Sequence, residues 1–234
     1  MNFIKRIIGR VLGLLLGSGG TVSIRNTLIL GKKYGQYQSA KEWSCINAEG
    51  LPIPWYTYPT IEYLNNLNLE GVSVLEYGSG NSSLYYLRRG AKVVSVEDDR
   101  EWYEKIKVEN NDEFFDYVFS NSKNDYINRE EINSADVIVI DGSHRPDCTD
   151  YVIENILEGN SNPSMIIFDN SDWYPRSINK LDDKVNWIRA DFCGFGPING
   201  YTWVTSIYFN PEKKLARIDS HITSMSGTGT TVEK

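Results

Sequence analysis

The sequence predicts an α/β domain with a doubly wound, mostly parallel sheet, and two observations carry that prediction. The first is an alternation of short apolar runs with amphipathic stretches between residues 60 and 168, which is typical of parallel strands covered by helices on both faces. The second is a glycine turn at residues 78–80, between an apolar run and a stretch that can form a helix. Together they predict a ligand site at the carboxyl ends of the strands.

The predicted elements follow one another regularly. A helix is expected from Thr60 to Leu67, with Pro59 in its first turn. Strands are predicted at residues 72–76, 92–97, 117–119, 136–140 and 164–168, and helices at residues 81–89, 99–109 and 147–158. Residues 185–192 and 201–209 are predicted to form two further strands, joined by a connection rich in Gly, Pro and Asn.

Two appendages flank this core. Residues 1–50 are predicted to hold an amphipathic helix near residues 3–16 and then an irregular arm that crosses the mouth of the domain. The helix is too short for a bilayer, which takes about 20 apolar residues, so we expect it to contact a membrane surface or a protein. Residues 51–218 form the predicted domain, and residues 219–234, rich in Ser, Thr and Gly, are expected to be a mobile tail.

The composition indicates which partners and which cellular compartment to expect. The 234 residues carry 24 basic and 31 acidic side chains, for a net charge of −7, and show no basic stripe of the kind that nucleic-acid-binding proteins carry. We therefore expect no nucleic-acid partner. The three cysteines, Cys45, Cys148 and Cys193, are odd in number and widely spaced. This favours free thiols in a cytoplasmic protein over a disulfide or metal framework.

The glycine turn carries the strongest functional signal. A short apolar strand ends near Glu76, and Gly78, Ser79 and Gly80 follow at once. Glycines let a backbone approach a ligand closely, and the start of the next helix offers free N–H groups. A dinucleotide-binding turn would have a third glycine or alanine where this chain has Ser83, and a carboxylate before the turn would repel a pyrophosphate. Glu76 is better suited to a cation, such as the ammonium group of a methionine moiety.

A second acidic group lies at the end of the next predicted strand. Glu97 stands 21 residues after Glu76 and is followed by Asp98, and an acid there suits two ribose hydroxyls. Two acids around a Gly-x-Gly turn resemble motifs I and II of the class I S-adenosylmethionine-dependent methyltransferases. The resemblance implies a Rossmann-like, seven-stranded sheet with an antiparallel strand near the carboxyl terminus. It also implies that S-adenosylmethionine is bound by Glu76, Gly78, Ser79, Gly80, Glu97, Asp98, Asn124, Asp125 and Asp141.

Polar residues at two further strand ends suggest a metal site and catalytic groups. Asp141 follows one predicted strand, and Asp169 and Asn170 follow the next. This set resembles the catechol-type metal-dependent O-methyltransferases, so that Asp141, Asp169 and Asn170 would be Mg²⁺ ligands. His144 falls near that family's lysine base and could accept a hydroxyl proton, which makes His144 and Asp141 the expected catalytic residues. Alternatively, Asp141 only contacts the cofactor or caps a turn, and Asp-Asn only forms a turn.

These features predict methyl transfer from S-adenosylmethionine to an oxygen atom, less readily to a nitrogen, of a small molecule or sugar. Most of residues 55–210 also look like a group of uncharacterised bacterial methyltransferase-like proteins, a similarity that names no substrate. Trp55, Tyr58 and Trp173 are expected to wall the acceptor pocket. Two alternatives stay open: a cofactor-binding scaffold without catalysis, and an NAD-linked oxidoreductase, which the residue before the turn and the missing third glycine disfavour.

Overall fold

In the computed structural model, seven strands form one sheet with helices on both faces. The structure describes residues 2–109, 112–218, 222, 224 and 225, with side chains from residue 16 onwards except at 108 and 109. The strands are β1 (Ser73–Tyr77), β2 (Lys92–Glu97), β3 (Phe115–Phe119), β4 (Val137–Ile140), β5 (Met165–Asp169), β6 (Ile188–Gly194) and β7 (Trp203–Phe209). The helices are α1 (Asn2–Lys32), α2 (Gln36–Glu42), α3 (Tyr58–Asn65), α4 (Asn81–Arg88), α5 (Arg100–Glu109), α6 (Lys123–Ile127), α7 (Arg145–Leu157) and α8 (Pro175–Val185).

The strand order in the sheet is β3-β2-β1-β4-β5-β7-β6. Strands β1 to β5 run parallel, and β7 is antiparallel to both of its neighbours, β5 and β6. The mostly parallel seven-stranded sheet with an antiparallel strand near the carboxyl terminus is therefore confirmed. The order reverses between β1 and β4, and such a switch point leaves a crevice at the carboxyl ends of the strands, where ligands bind.

An apolar cluster on each face of the sheet holds the helices against it. Strand β4 shows why: Val137 and Val139 belong to one cluster, Ile138 and Ile140 to the other, and all four are fully buried. Because successive strand residues point to opposite faces, a strand covered on both faces has to be apolar throughout. This packing fixes the positions from which the carboxyl ends of β1, β4 and β5 project.

All the strands predicted from the sequence are present, with ends shifted by up to three residues. Helices α2, α6 and α8 were not expected. For α8 the sequence did hold a signal, because Ile178, Leu181 and Val185 recur at helical spacing and are all buried against the sheet.

The irregular arm predicted for residues 17–50 is wrong over much of its length. Helix α1 continues to Lys32, with non-helical backbone only at Gly17, and α2 follows closely. Among the described helices, none combines the length and apolar character needed to cross a bilayer. Contact of the first helix with a membrane surface or a protein stays a prediction, and most of the tail expected at residues 219–234 lies outside the described residues.

Candidate active site

Two glycines bring the turns after β1 and β4 into contact at the switch point. Gly78 has a φ of +104°, which L side chains rarely adopt, and a Cβ there would lie 2.8 Å from the Cα of Gly142. A Cβ on Gly142 would lie 2.6 Å from the Gly78 Cα and closer still to the Tyr126 hydroxyl. The two turns therefore pack backbone against backbone, which brings the residues that follow them to one cavity.

Trp102 of α5 supports the glycine turn from the side. Its indole Nε1 donates a 2.8 Å hydrogen bond to the carbonyl oxygen of Ser79, and its ring lies 3.4 Å from where a Gly80 Cβ would stand. Gly80, with a φ of +155°, is the residue from which α4 begins, and its N–H donates to the Ser83 hydroxyl at 3.2 Å. The turn is thus fixed by an aromatic side chain for which sequence reasoning offered no role.

Glu76 is buried beside this turn. Its Oε2 accepts hydrogen bonds from the hydroxyls of Ser83 and, at 2.9 Å, Ser95, whereas Oε1 has no hydrogen-bond partner among the described residues. Burial raises the pKa of Glu76 to about 7, and the surrounding serine hydroxyls counter part of that rise. A buried oxygen without a partner costs free energy, so this one suits a ligand's N–H group.

Glu97 connects the end of β2 to the glycine turn. Its Oε1 accepts the backbone N–H groups of Asp98 at 3.0 Å and Asp99 at 2.9 Å, and its Oε2 accepts the Ser79 hydroxyl at 2.8 Å. Burial raises its pKa, and these donors oppose the rise. The two acidic motifs predicted from sequence are therefore adjacent in space, although the oxygens of Glu97 already have protein donors.

The remaining predicted contacts lie beside the cavity described next. His144 begins α7 in a left-handed conformation, with its Nε2 3.5 Å from Asp98 Oδ2 and its ring against Tyr126. Asn124 and Asp125 are exposed near the start of α6, where they serve local helix hydrogen bonds. None of the predicted residues Asp98, Asn124, Asp125 and His144 lines the cavity, and neither do Glu76, Gly78 and Glu97. A role for His144 as the base stays a prediction.

A cavity of about 530 Å³ opens at the carboxyl ends of β1, β4 and β5, within the usual size range of small-molecule sites. The glycine turn and the start of α4 line one part of it, with Trp102. The ends of β4 and β5 contribute polar residues, and five further aromatic residues complete the walls: Trp43, Trp55, Trp173, Tyr201 and Trp203.

Arg145 joins the ends of β4 and β5, and all five of its N–H donors make hydrogen bonds. Nε donates to the carbonyl oxygen of Gly142 at 3.0 Å, and Nη2 to the carbonyl oxygen and Oδ1 of Asp141 at 2.7 and 3.0 Å. Nη1 donates to the carbonyl oxygen of Asp169 and, at 2.8 Å, to Oδ1 of Asn170. The guanidinium thus lies between the three residues predicted to bind magnesium.

This arrangement does not support the magnesium prediction. Oδ1 of Asp141 and Oδ1 of Asn170 accept from Arg145, and Oδ1 of Asp169 accepts from Trp203 Nε1 at 3.0 Å and Thr205 Oγ1 at 2.5 Å. The arginine supplies the positive charge that a metal ion would bring. Within the described part of the chain, no group of three or more His, Cys, Asp or Glu side chains could hold a metal ion.

Asp169 is the most buried carboxyl group in contact with the cavity. Burial raises its pKa well above the usual range, the nearby Asp141 raises it further, and Thr205, Arg145 and Trp203 oppose the rise. Burial also raises the pKa of Asp141, to about 7, although the pairing of its carboxylate with Arg145 at 3.0 Å opposes the rise. A carboxyl group with a raised pKa that faces a cavity can take up a proton at neutral pH.

The number of strands, their direction and a cavity at the carboxyl ends of the strands together match the expectation drawn from motifs I and II. The chain has a Rossmann-like fold. No protein-family model matches it, and neither does any curated protein.

Solved structures include several that resemble this fold. A methyltransferase from Pyrococcus furiosus is 19% identical, with 80% of this chain and 98% of that chain covered and a TM-score of 0.44. A methyltransferase-like protein from Silicibacter pomeroyi is 20% identical over 69% and 91%, with a TM-score of 0.43. Magnesium protoporphyrin IX methyltransferase from Synechocystis PCC 6803, with bound SAM, is 12% identical over 61% and 72%, with a TM-score of 0.40. These scores lie below 0.5, so the assignment of the fold depends on the sheet itself.

The segment after α2 reaches the cavity. Asn81, at the start of α4, donates to the carbonyl oxygen of Cys45 at 2.6 Å and to the Ser44 hydroxyl at 3.1 Å. Of the three expected wall residues, Trp55 and Trp173 line the cavity. The third, Tyr58, is buried elsewhere against Tyr34, and sequence reasoning missed the other aromatic residues because their neighbours come from distant parts of the chain.

Proposed function

We propose that the protein transfers a methyl group from S-adenosylmethionine to an oxygen atom of a small molecule or sugar. The observation that carries the proposal is the buried Oε1 of Glu76, which has no partner among the described residues and lies next to the Gly78–Gly80 turn. The ammonium group of the methionine moiety would supply both a donor and a compensating charge. A pyrophosphate would bring negative charge to the same carboxylate, so the site favours S-adenosylmethionine over NAD.

The proposed cofactor contacts extend from this corner. Ser79 and Gly80 line the cavity at the start of α4, where backbone N–H groups are available to a ligand. Glu97 and Asp98 are the proposed ribose contacts, and Asn124 and Asp125 the proposed adenine contacts. The ribose hydroxyls would share the oxygens of Glu97 with the N–H groups and the hydroxyl that it already accepts.

The polar ends of β4 and β5 are the proposed place of the acceptor. S-adenosylmethionine supplies a methyl group that is already activated on a sulfonium, so the protein has to hold the acceptor in line and receive its proton. Asp141 and Asp169 line the cavity there. Arg145 joins the two strand ends through its hydrogen bonds, which holds Asp141 and Asp169 in place relative to each other.

Calorimetry tests the cofactor. S-adenosylmethionine, S-adenosylhomocysteine and NAD are titrated into the wild type, Glu76→Gln and the control Glu154→Gln, which alters an exposed residue of α7. We expect the first two ligands to bind the wild type and the control, and to bind Glu76→Gln about tenfold more weakly, because a charge-assisted hydrogen bond is lost. Binding of NAD without S-adenosylhomocysteine would replace the proposal by an oxidoreductase.

A second experiment separates an enzyme from a scaffold. The protein is incubated with S-adenosylmethionine labelled in its methyl group and with a cell extract. Transfer of label to a small molecule is expected. Binding of S-adenosylhomocysteine without any transfer would support the non-catalytic alternative.

A further inference from the structure

The charges that line the cavity are already compensated within the protein. Of its lining residues, as far as the structure describes the chain, Arg145 is the only cation, and each of its five N–H donors has a protein acceptor. A phosphate or carboxylate on the acceptor would therefore enter a cavity with no free positive charge to receive it. Burying such an anion without a partner is costly.

The negative charges are compensated as well. Asp141 is paired with Arg145 at 3.0 Å. Burial and the nearby Asp141 carboxylate raise the pKa of Asp169 and so favour its protonated form, although a tryptophan N–H and a threonine hydroxyl donate to it and oppose that rise. While Asp169 is protonated, an ammonium group on the acceptor would thus meet no uncompensated carboxylate. The cavity is polar, but it offers no net charge to either sign of ligand.

One hydrogen-bonding position is open where β5 ends. Both protein donors to the Asp169 carboxyl group, Trp203 Nε1 and Thr205 Oγ1, use Oδ1. The other oxygen, Oδ2, receives no hydrogen bond from the described residues, and Asp169 lines the cavity. A hydroxyl of the acceptor can occupy this position and complete the hydrogen bonding of the buried carboxyl group.

The walls suit a ring that carries hydroxyl groups. Trp43 and Trp55 stand edge to face at 6.2 Å, and Trp173 and Tyr201 lie 6.5 Å apart. Between them Asn199 accepts from Trp55 Nε1 at 2.6 Å and donates to the Tyr201 hydroxyl at 2.5 Å. Aromatic rings provide apolar contact area at little entropic cost, and an amide and two hydrogen-bonding aromatic tips provide neutral polar contacts.

We propose that the acceptor is an uncharged sugar whose reacting hydroxyl is hydrogen-bonded to Oδ2 of Asp169. This inference depends on the proposed function and specifies its acceptor. The hydroxyl oxygen forms the new O–CH₃ bond as the S–CH₃ bond of the donor breaks. The electron pair of the S–CH₃ bond stays on sulfur, which becomes a neutral thioether, and the hydroxyl proton passes to Asp169, which reacts in its deprotonated form. Asp169 is then a catalytic residue, and Arg145 a positioning residue.

The test begins with binding. Protein saturated with S-adenosylhomocysteine is titrated with methyl glycosides of neutral hexoses and 6-deoxyhexoses, with the matched sugar phosphates and uronic acids, and with the matched amino sugars. Tryptophan fluorescence and saturation-transfer NMR report binding. We expect neutral glycosides to bind at least about tenfold more tightly than their charged counterparts, because the latter bury an unpaired charge.

Three variants test the position of the sugar and the role of Asp169. Trp173→Ala should weaken sugar binding by about tenfold, whereas Phe114→Ala, a similarly exposed aromatic residue beside the amino ends of β1 and β2, should leave it unchanged. Asp169→Asn keeps an oxygen for Trp203 and Thr205, so we expect it to fold and bind sugar but to transfer methyl at least about a hundredfold more slowly. The wild-type rate should rise with pH as Asp169 loses its proton, and Asp169→Asn should lack that rise.

The outcomes distinguish a failure of the proposed function from a failure of the inference about the acceptor. If S-adenosylhomocysteine does not bind, the proposed function itself is wrong. If it binds but charged sugars bind as tightly as neutral ones, or no neutral sugar binds, only the acceptor inference is overturned. A His144→Gln variant without activity beside an active Asp169→Asn would assign the proton to the histidine and would also overturn it.

Discussion

Replacing Glu76 by glutamine should make the protein more stable and a weaker binder of the cofactor. The substitution keeps the shape of the side chain and its oxygen for the Ser83 and Ser95 hydroxyls, but it removes the buried negative charge. In the wild type, that charge is present only when the carboxyl group is deprotonated. The gain in stability therefore has to depend on pH.

The direction and size of this stability change follow from the pKa of Glu76, which burial raises from its usual 4.5 to about 7. Between these values the folded state binds more protons than the unfolded state, so this group's contribution to stability is complete below about pH 4.5 and is lost as the pH rises through about 7. At 1.36 kcal/mol per pKa unit, the difference between about 7 and 4.5 corresponds to about 3 kcal/mol. Glu76→Gln should recover an amount of that order above about pH 7 and less than about 1 kcal/mol near pH 5.

Urea unfolding at about pH 5 and about pH 8.5 measures both values. Glu154→Gln, which removes an exposed carboxylate from α7, is the matched control and should show no gain that depends on pH. The reasoning is refuted if Glu76→Gln is no more stable than the wild type at the higher pH, or if its gain is equal at both.

Three further predictions concern Gly142, Arg145 and the dependence on a metal ion. Gly142→Ala should lower the free energy of unfolding by about 1–3 kcal/mol and weaken S-adenosylhomocysteine binding, because its Cβ would meet the Gly78 Cα at 2.6 Å; unchanged affinity in calorimetry would contradict this. Arg145→Lys should lower the free energy of unfolding in urea by about 2–4 kcal/mol, since lysine cannot replace five fixed donors. Wild-type stability would mean that the hydrogen bonds of Arg145 contribute little to the folded state. Methyl transfer should continue in excess chelator, and a loss of activity that Mg²⁺ restores would reinstate the metal site.

The sequence predicted those structural features that depend only on residues close together along the chain. The strand ending near Glu76, its glycine turn and the acid at the end of β2 are local patterns, and the structure brings them together as expected. The prediction failed where one side chain bridges distant segments. Arg145 follows Asp141 by four residues but bonds to Asp169 and Asn170, which lie 24 and 25 residues away. No periodicity reveals such a contact, and the same strand-end acids are compatible with a metal ion.

The aromatic residues around the cavity illustrate a second limit. Trp102 was visible only as a residue after the acidic motif, and nothing local indicated that its ring would pack against Gly80. Trp43 comes from a segment that composition suggested was irregular, yet α2 precedes it and Asn81 ties the residues after it to α4. Composition gave the abundance of aromatic residues, but only the tertiary structure decides which of them are in the core and which face a ligand.

The five bonds of Arg145 have a consequence for protein engineering. The loops after β4 and β5 are crosslinked by one side chain, so neither can be exchanged for a loop of different length without leaving guanidinium donors unpaired on the other. Altering the choice of substrate by loop grafting would therefore require transplanting both segments together with their arginine. Single substitutions in the aromatic walls leave that crosslink intact and are the safer starting point for a library.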